Sequence, residues 1–258
     1  MKFETKDIEL SLGSAFSGIE GFGLGAKWNG IHLVWHSETN EFCNKIIKKH
    51  FPQSVSLGDI SKVKKVQYAD IIAGGFPCQD ISLAQQSNGG AKGIKGDESG
   101  LWNEMYKLCR ENRYKYIVLE NSSALTFRGL EYVLCDLAKI GYDVEWKCLR
   151  GYDFGLPDKR ERIYIIAYPI EMRCTRNGEI ETCFRELHPK RTSRQIALSV
   201  PIKRVKRGDD FSNLRVDTKF SKGLDKRRIE ALGNSVKPII ASYIFKCIKE
   251  HYKQQQPK

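Results

Sequence analysis

The chain has 258 residues, 41% of them hydrophobic and 29% charged, the balance of a soluble globular protein large enough for one sizeable domain with a small appendage. No run approaches the roughly eighteen consecutive apolar residues that span a bilayer, and the opening MKFETKDIELSLG lacks the apolar core of a signal peptide; a membrane role is excluded and a cytoplasmic location expected. The net charge of +12 is uneven: residues 1–169 hold 22 Lys and Arg against 21 Asp and Glu, residues 170–226 hold 14 against 8, and residues 227–258 hold 7 against 2, so the excess sits where a phosphate-neutralising surface would need it.

Short apolar runs then alternate with amphipathic stretches. Strands are predicted at Leu10–Phe16, Ile31–His36, Asp70–Gly74, Tyr116–Glu120, Val144–Leu149 and Arg162–Tyr168, with a shorter run at Val55-Ser56-Leu57. Helical spacing marks Glu41–His50, Gly100–Asn112 and Leu130–Ile140. The alternation predicts an α/β fold of βαβ units on a mainly parallel sheet, whose ligands bind beyond the carboxyl ends of the strands. Residues 170–226 lose the periodicity and carry breakers at Pro189, Pro201 and Gly208. A helix over Lys237–Tyr252 restores it, with Ile239, Ile240, Tyr243, Ile244, Cys247 and Ile248 at spacings of three and four. Three parts are expected: a domain over 1–169, a short basic module over 170–226, and a C-terminal helix over 227–258 that returns to the domain.

Eight cysteines stand at 43, 78, 109, 135, 148, 174, 183 and 247 with no CxxC pair, so neither a disulfide framework nor a structural metal is expected. Seven read as small apolar fillers. Cys78 does not, because the turn Gly74-Gly75-Phe76-Pro77-Cys78-Gln79 at the end of the fourth strand exposes a thiol for attack. The Gly-, Asn- and Lys-rich stretch Gln85–Ser99 after it has the composition of a lid.

The other chemistry-bearing residues also follow strands. Phe16 to Gly25 is a glycine-rich strand-to-helix turn, where a ligand can approach the backbone. Gly21, Gly23 and Ala26 satisfy the dinucleotide pattern, which keeps an NAD-dependent oxidoreductase open at this point. Glu38 after the second strand can take both hydroxyls of a ribose, and Asp59 after the third can accept from an adenine amine; either can equally cap the next helix. Glu120-Asn121 ends the fifth strand, placing an acid that could protonate a ring nitrogen while a thiolate adds to the ring. Arg160 and Arg162 open the last strand on one face, suited to a base oxygen and a phosphate.

In this order the residues resemble the cytosine-C5 DNA methyltransferase family: Phe16-x-Gly18-x-x-Gly21, Glu38, Asp59-Ile60, Gly75-Phe76-Pro77-Cys78-Gln79, Glu120-Asn121, Arg160-x-Arg162 and Gly233-Asn234-Ser235-Val236. The Pro-Cys motif followed by Glu-Asn and Arg-x-Arg is the specific part. The short 170–226 region and the Leu224–Asn234 stretch are similar to compact phage or prophage members. Departures are Glu20, where a small residue or Gly is common, Ser122 in place of Val, and Asp158 in place of Gln.

The resemblance implies a Rossmann-like S-adenosylmethionine-dependent fold with a short target-recognition module, acting on double-stranded DNA. Cys78 would add to C6 of a flipped cytosine, Glu120 would hold the exocyclic amine and protonate N3, Arg162 would hold O2, and Arg160 would support the cysteine loop. Phe16, Gly18, Gly21, Glu38, Asp59, Ile60, Pro77 and Asn234 would line the cofactor site, and no metal is expected. A monomer is expected, with a restriction endonuclease as a candidate genetic partner. The competing readings are the same chemistry on tRNA and a catalytically silent DNA binder.

Overall fold

A computed structural model describes residues 9–76, 101–156, 158–176, 179–181, 227 and 230–256. Pro77, Cys78, the Gln85–Ser99 stretch and nearly all of the expected recognition module lie outside the described residues.

The main sheet has seven strands in the order β3-β2-β1-β4-β5-β7-β6. They are β1 (Ser11–Ala15), β2 (His32–Ser37), β3 (Val55–Ser56), β4 (Ile71–Gly74), β5 (Tyr116–Ser122), β6 (Tyr142–Arg150) and β7 (Glu161–Pro169). The first five pair in parallel, whereas β7 runs antiparallel between β5 and β6. The predicted mainly parallel sheet is therefore present; β5, β6 and β7 extend one or two residues beyond their expected ends, whereas β1, β3 and β4 are shorter by one residue at one or both ends. The central strands β1, β4 and β5 are buried along their whole length, the pattern of strands covered on both faces.

Alternation along each strand divides the apolar residues between two layers. Tyr116, Val118, Tyr164, Ile166 and Tyr168 face a core with α1 (Gly21–Lys27) and the last helix. Ile117, Leu119, Ile163, Ile165 and Ala167 face the other core, with α3 (Leu101–Asn112) and α5 (Leu130–Lys139). Between β5 and α5 lies a one-turn helix, α4 (Leu125–Arg128), that periodicity did not mark. Helix α2 (Glu41–His50) follows β2; Asn40 caps it by accepting from the Phe42 and Cys43 N–H groups.

The C-terminal helix, α6 (Pro238–Gln254), starts on a proline whose missing N–H costs nothing in the first turn. It crosses α1 closely, since a Cβ on Gly25 would lie 2.6 Å from the Ser242 nitrogen. Phe22 meets Phe245 edge to face at 6.3 Å, and the Asn29 side-chain amide donates to the Ser242 carbonyl at 2.8 Å. At the other end of the sheet, Asp70 accepts from the Ser11 N–H and hydroxyl at 2.9 and 2.6 Å and pairs with Lys115 at 2.7 Å.

Two expectations are corrected. Cys135, read as an apolar filler, is exposed on α5, whereas Cys43, Cys109 and Cys247 are buried as expected. Residues 170–226, read as a short irregular arm, hold two short strands, β8 (Cys174–Arg176) and β9 (Glu179–Glu181), that pair antiparallel. No described helix is long and apolar enough to cross a membrane.

Candidate active site

The reversal of β7 brings its first residues to the carboxyl end of β5, where Ser122 pairs with Arg162 and Glu120 with Tyr164. Glu120 is 8% exposed, and its Oε1 lies 3.2 Å from Arg162 Nε. Arg162 also donates to the Glu161 carbonyl at 2.8 Å. A small cleft forms here between Glu120, Arg160, Arg162, Tyr164, Ser235 and Lys237. Burial lifts the Glu120 carboxyl above the ordinary carboxylate range, and the charges of Arg162, Arg160 and Lys237 pull it back only in part.

The strand that carries Glu120 also holds the chain leading to Cys78. The Asn121 side-chain amide donates to the Phe76 carbonyl at 3.1 Å, two residues before the cysteine. Phe76 is buried against Trp102, ring centroids 5.3 Å apart. A Cβ on Gly75 would lie 3.0 Å from Glu120 Oε2, so this loop runs close over the acid, whose carboxylate would have to shift to admit a side chain.

Across the first two strand ends lies a second group. Between Ala15 and Gly21 the backbone passes through three left-handed residues, Phe16 (φ 52), Gly18 (φ 56) and Glu20 (φ 67). The Gly18 N–H donates to Glu38 Oε2 at 2.7 Å, while Glu38 Oε1 accepts from the Thr39 and Asn40 N–H groups at 2.8 Å. Asp59 caps a short 3-10 turn (Ile60–Lys62), accepting from the Ser61 N–H and hydroxyl at 3.0 and 2.7 Å; Ile60 is buried. Asp59 thus caps the turn that follows it, whereas Glu38 holds the backbone ahead of α2, whose cap is Asn40.

The Gly233–Val236 segment closes this group from the far end of the chain. A Cβ on Gly21 would lie 2.1 Å from the Val236 carbonyl oxygen, and Arg160 donates to the Gly233 carbonyl. The adjoining Asn234 is exposed. Of the predicted residues, Glu120, Arg160 and Arg162 share one cleft, and Phe16, Gly18, Gly21 and Glu38 share one turn. Asp59 and Ile60 stand at the end of the neighbouring β3.

Lys237 was missed as a site residue. It enters the cleft and pairs with Asp158, and in the sequence it reads only as the first residue of a helix. The one available signal was Asp158 itself, an acid where the family pattern has Gln. Among the described residues no three His, Cys, Asp or Glu side chains gather as metal ligands.

A parallel sheet with its antiparallel strand inserted next to the edge, and polar loops at the carboxyl ends, is a Rossmann-like methyltransferase architecture. Two solved structures share it. One is a methyltransferase of Entamoeba histolytica, EhMeth (TM-score 0.62, 16% identity, covering 97% of this chain and 100% of that one). The other is a prophage-encoded E. coli chain described as a DNA modification methyltransferase (TM-score 0.61, 16% identity, 95% and 99%). The family model for C-5 cytosine-specific DNA methylase matches residues 10–213, and the chain belongs to that family. Among curated relatives, the Type II methyltransferase M2.BsuMI of Bacillus subtilis (strain 168) is 31% identical over 162 residues, 60% of this chain and 41% of that protein. The chain spans about half the length of the curated relatives it matches.

Proposed function

We propose that this chain is a DNA (cytosine-5-)-methyltransferase that moves a methyl group from S-adenosylmethionine to C5 of a flipped cytosine in duplex DNA, through a covalent adduct on Cys78. The observation that carries this reading is the buried Glu120 paired with the half-buried Arg162 beneath the Gly75-Phe76 loop that leads to the cysteine.

Cytosine C5 is a poor nucleophile until the ring is interrupted, and a thiolate added to C6 interrupts it. Burial raises the Glu120 carboxyl above the ordinary carboxylate range, the direction that suits an acid giving a proton to N3 as charge develops there. Arg162, fixed by Glu120 and the Glu161 carbonyl, offers its guanidinium to the base oxygen O2. Arg160 ties the Gly233 carbonyl to the mouth of β7 and so completes the cleft wall. Once C5 carries the methyl group, loss of its proton and expulsion of the thiolate restore aromaticity.

The residues of the first turn fit the cofactor. Glu38 and Asp59 stand at adjacent strand ends, nothing lies within 4 Å of where Gly18 would carry a Cβ, and Glu20 holds a buried oxygen without a hydrogen-bond partner among the described residues. Glu38 would meet the ribose, Asp59 and Ile60 the adenine, and Phe16, Gly18, Gly21, Pro77 and Asn234 the remainder. S-adenosylmethionine supplies an electrophilic methyl on a sulfonium. The basic 170–226 region would read the DNA, and the Type II names of the relatives support a modification role, with a restriction endonuclease as genetic partner. The proposed enzyme acts as a monomer in the cytoplasm of a prokaryotic cell.

The test is transfer of labelled methyl from S-adenosylmethionine to mixed-sequence duplex DNA by the wild type and Cys78→Ser, with tRNA in parallel. Label on cytosine C5 that vanishes in the variant is expected. Label confined to tRNA moves the reaction to RNA, and no transfer to either overturns the reading.

A further inference from the structure

Glu20 stands where the family pattern has a small residue or glycine, and it occupies that place at a cost. Its backbone is left-handed, φ 67 and ψ 49, a conformation that disfavours a side chain by roughly 1–2 kcal/mol. The residue is 1% exposed. One carboxylate oxygen, Oε1, accepts from the Gly23 N–H at 3.0 Å and caps α1. The other, Oε2, makes no hydrogen bond of ordinary geometry among the described residues; only the Ser14 and Ser17 hydroxyls approach the carboxylate, and that of Ser14 is likewise buried.

Capping does not account for this arrangement. Ser, Asn or Asp caps a helix with a shorter side chain, and a buried acceptor left over is expensive unless something positive answers it. The charged group that faces Glu20 is another acid, Glu38; β1, α1 and the turn contribute only the Ser14 and Ser17 hydroxyls and the Gly23 N–H. Burial foremost, with a contribution from Glu38, pushes the Glu20 carboxyl up to about 7. The turn that carries it bonds to Glu38 through Gly18 and packs on Val236 through Gly21, the two ends of the proposed cofactor site.

We propose that Glu20 reads the charge of the methyl donor, its carboxylate favouring the cationic sulfonium cofactor over the neutral thioether product. This rests on the cofactor reading above. Donor and product share adenine, ribose and amino-acid groups and differ by one methyl and one positive charge at sulfur, so Glu38 and Asp59 cannot tell them apart. A carboxylate buried in the turn that joins Glu38 to Val236 can act on that charge through the protein interior, and it would thereby favour release of product once the methyl has left. Glu20 is a specificity-determining residue in this scheme and touches no reacting bond.

Calorimetric titration of S-adenosylmethionine and S-adenosylhomocysteine into the full chain without DNA tests it, at about pH 6 and about pH 8, either side of the Glu20 ionisation. Wild type, Glu20→Gln and Glu20→Gly are compared; glycine suits the left-handed backbone, so at least one variant is expected to fold, as a thermal melt will record. In the wild type the preference for donor over product is expected to grow about tenfold from the lower to the higher pH. In both variants that growth is lost, leaving only the dependence that the ligands' own ionisation imposes, with product affinity unchanged relative to wild type at each pH. Ionisation of the ligands themselves is common to all three proteins and cancels. A wild-type preference independent of pH, or a pH dependence retained in the variants, overturns the proposal while leaving the cofactor reading intact. Failure of the wild type to bind either ligand overturns the cofactor reading and this inference with it.

Discussion

The carbonyl oxygen of Val236 fills the space in which Gly21 would carry a side chain, 2.1 Å from the position of its missing Cβ. The first turn of the sheet and the segment before the last helix are therefore in backbone contact. A methyl group at Gly21 has nowhere to go, because the two nearest atoms it meets, the Val236 carbonyl oxygen and carbon, are main chain.

Gly21→Ala is expected to lose about 2 kcal/mol of stability, within the range for overpacking a tight contact, together with cofactor affinity. Gly18→Ala makes the comparison: unlike Gly21 it is left-handed, but nothing lies within 4 Å of its Cβ position, so only backbone strain of about 1 kcal/mol applies. Urea denaturation midpoints check both, and a Gly21→Ala variant as stable as Gly18→Ala would contradict the contact.

Glu20 makes stability depend on pH. Its folded-state value of about 7 lies above the ordinary carboxylate value of 4.5, so between the two the folded chain holds more protons than the unfolded one. Stability then falls as pH rises across that interval, by roughly 3 kcal/mol for this group. Glu20→Gln is expected to remove that slope and to be more stable than the wild type at pH above the interval, measured by denaturation without ligand. Parallel pH profiles would rule this out.

Lys237→Met bears on the acid in the cleft. Lys237 pairs with Asp158 and its charge helps hold the Glu120 carboxyl down. Without it the apparent ionisation of Glu120, followed through the pH dependence of methyl transfer, is expected to move upward. Asp158→Asn leaves the ammonium in place and is not expected to move it upward. An identical shift in both variants would mean that the pair acts by holding the helix start and not through charge.

Asp70 governs stability at the opposite end of the sheet. Burial alone would raise its carboxyl, but the Lys115 ammonium and the Ser11 donors outweigh that and hold it below the ordinary range. Its contribution is present above the ordinary carboxylate range and lost as pH falls through the lowered value. Asp70→Asn is expected to cost about 1–3 kcal/mol near neutrality, with the gap to the wild type closing in acid. Methyl transfer below the melting range should be unchanged; a large loss of activity there would show coupling along β4.

Period-two and period-3.6 patterns made the sheet and helices readable because burial imposes them directly. Glu41–His50 has the same bounds in sequence and structure, since its amphipathic face and the Asn40 cap are both local. Strand β5 was expected to stop at Glu120 but runs to Ser122, because its last residues are held by pairing with β7, information carried by another part of the chain. Helix α4 has too few residues to express a period. The grouping of Glu120 with Arg160 and Arg162 was legible as motif order, but not the reason for it, which is the reversed direction of β7. Lys237 and the role of Glu20 were hidden for a similar reason: one depends on where a distant helix docks, the other on how a single turn is wound.

The docking of α6 on α1 has a consequence for synthesis. The apolar face formed by Phe22, Ala26 and the first strands is covered by Ile240, Ile244, Phe245 and Ile248 from the end of the chain. A ribosome therefore finishes the sheet while this face is still bare, and the turn carrying Gly21 lacks its Val236 contact until α6 has been made. Nascent chains of this protein should be clients for chaperones until the final helix emerges, and premature termination anywhere before it should yield molecules destined for proteolysis.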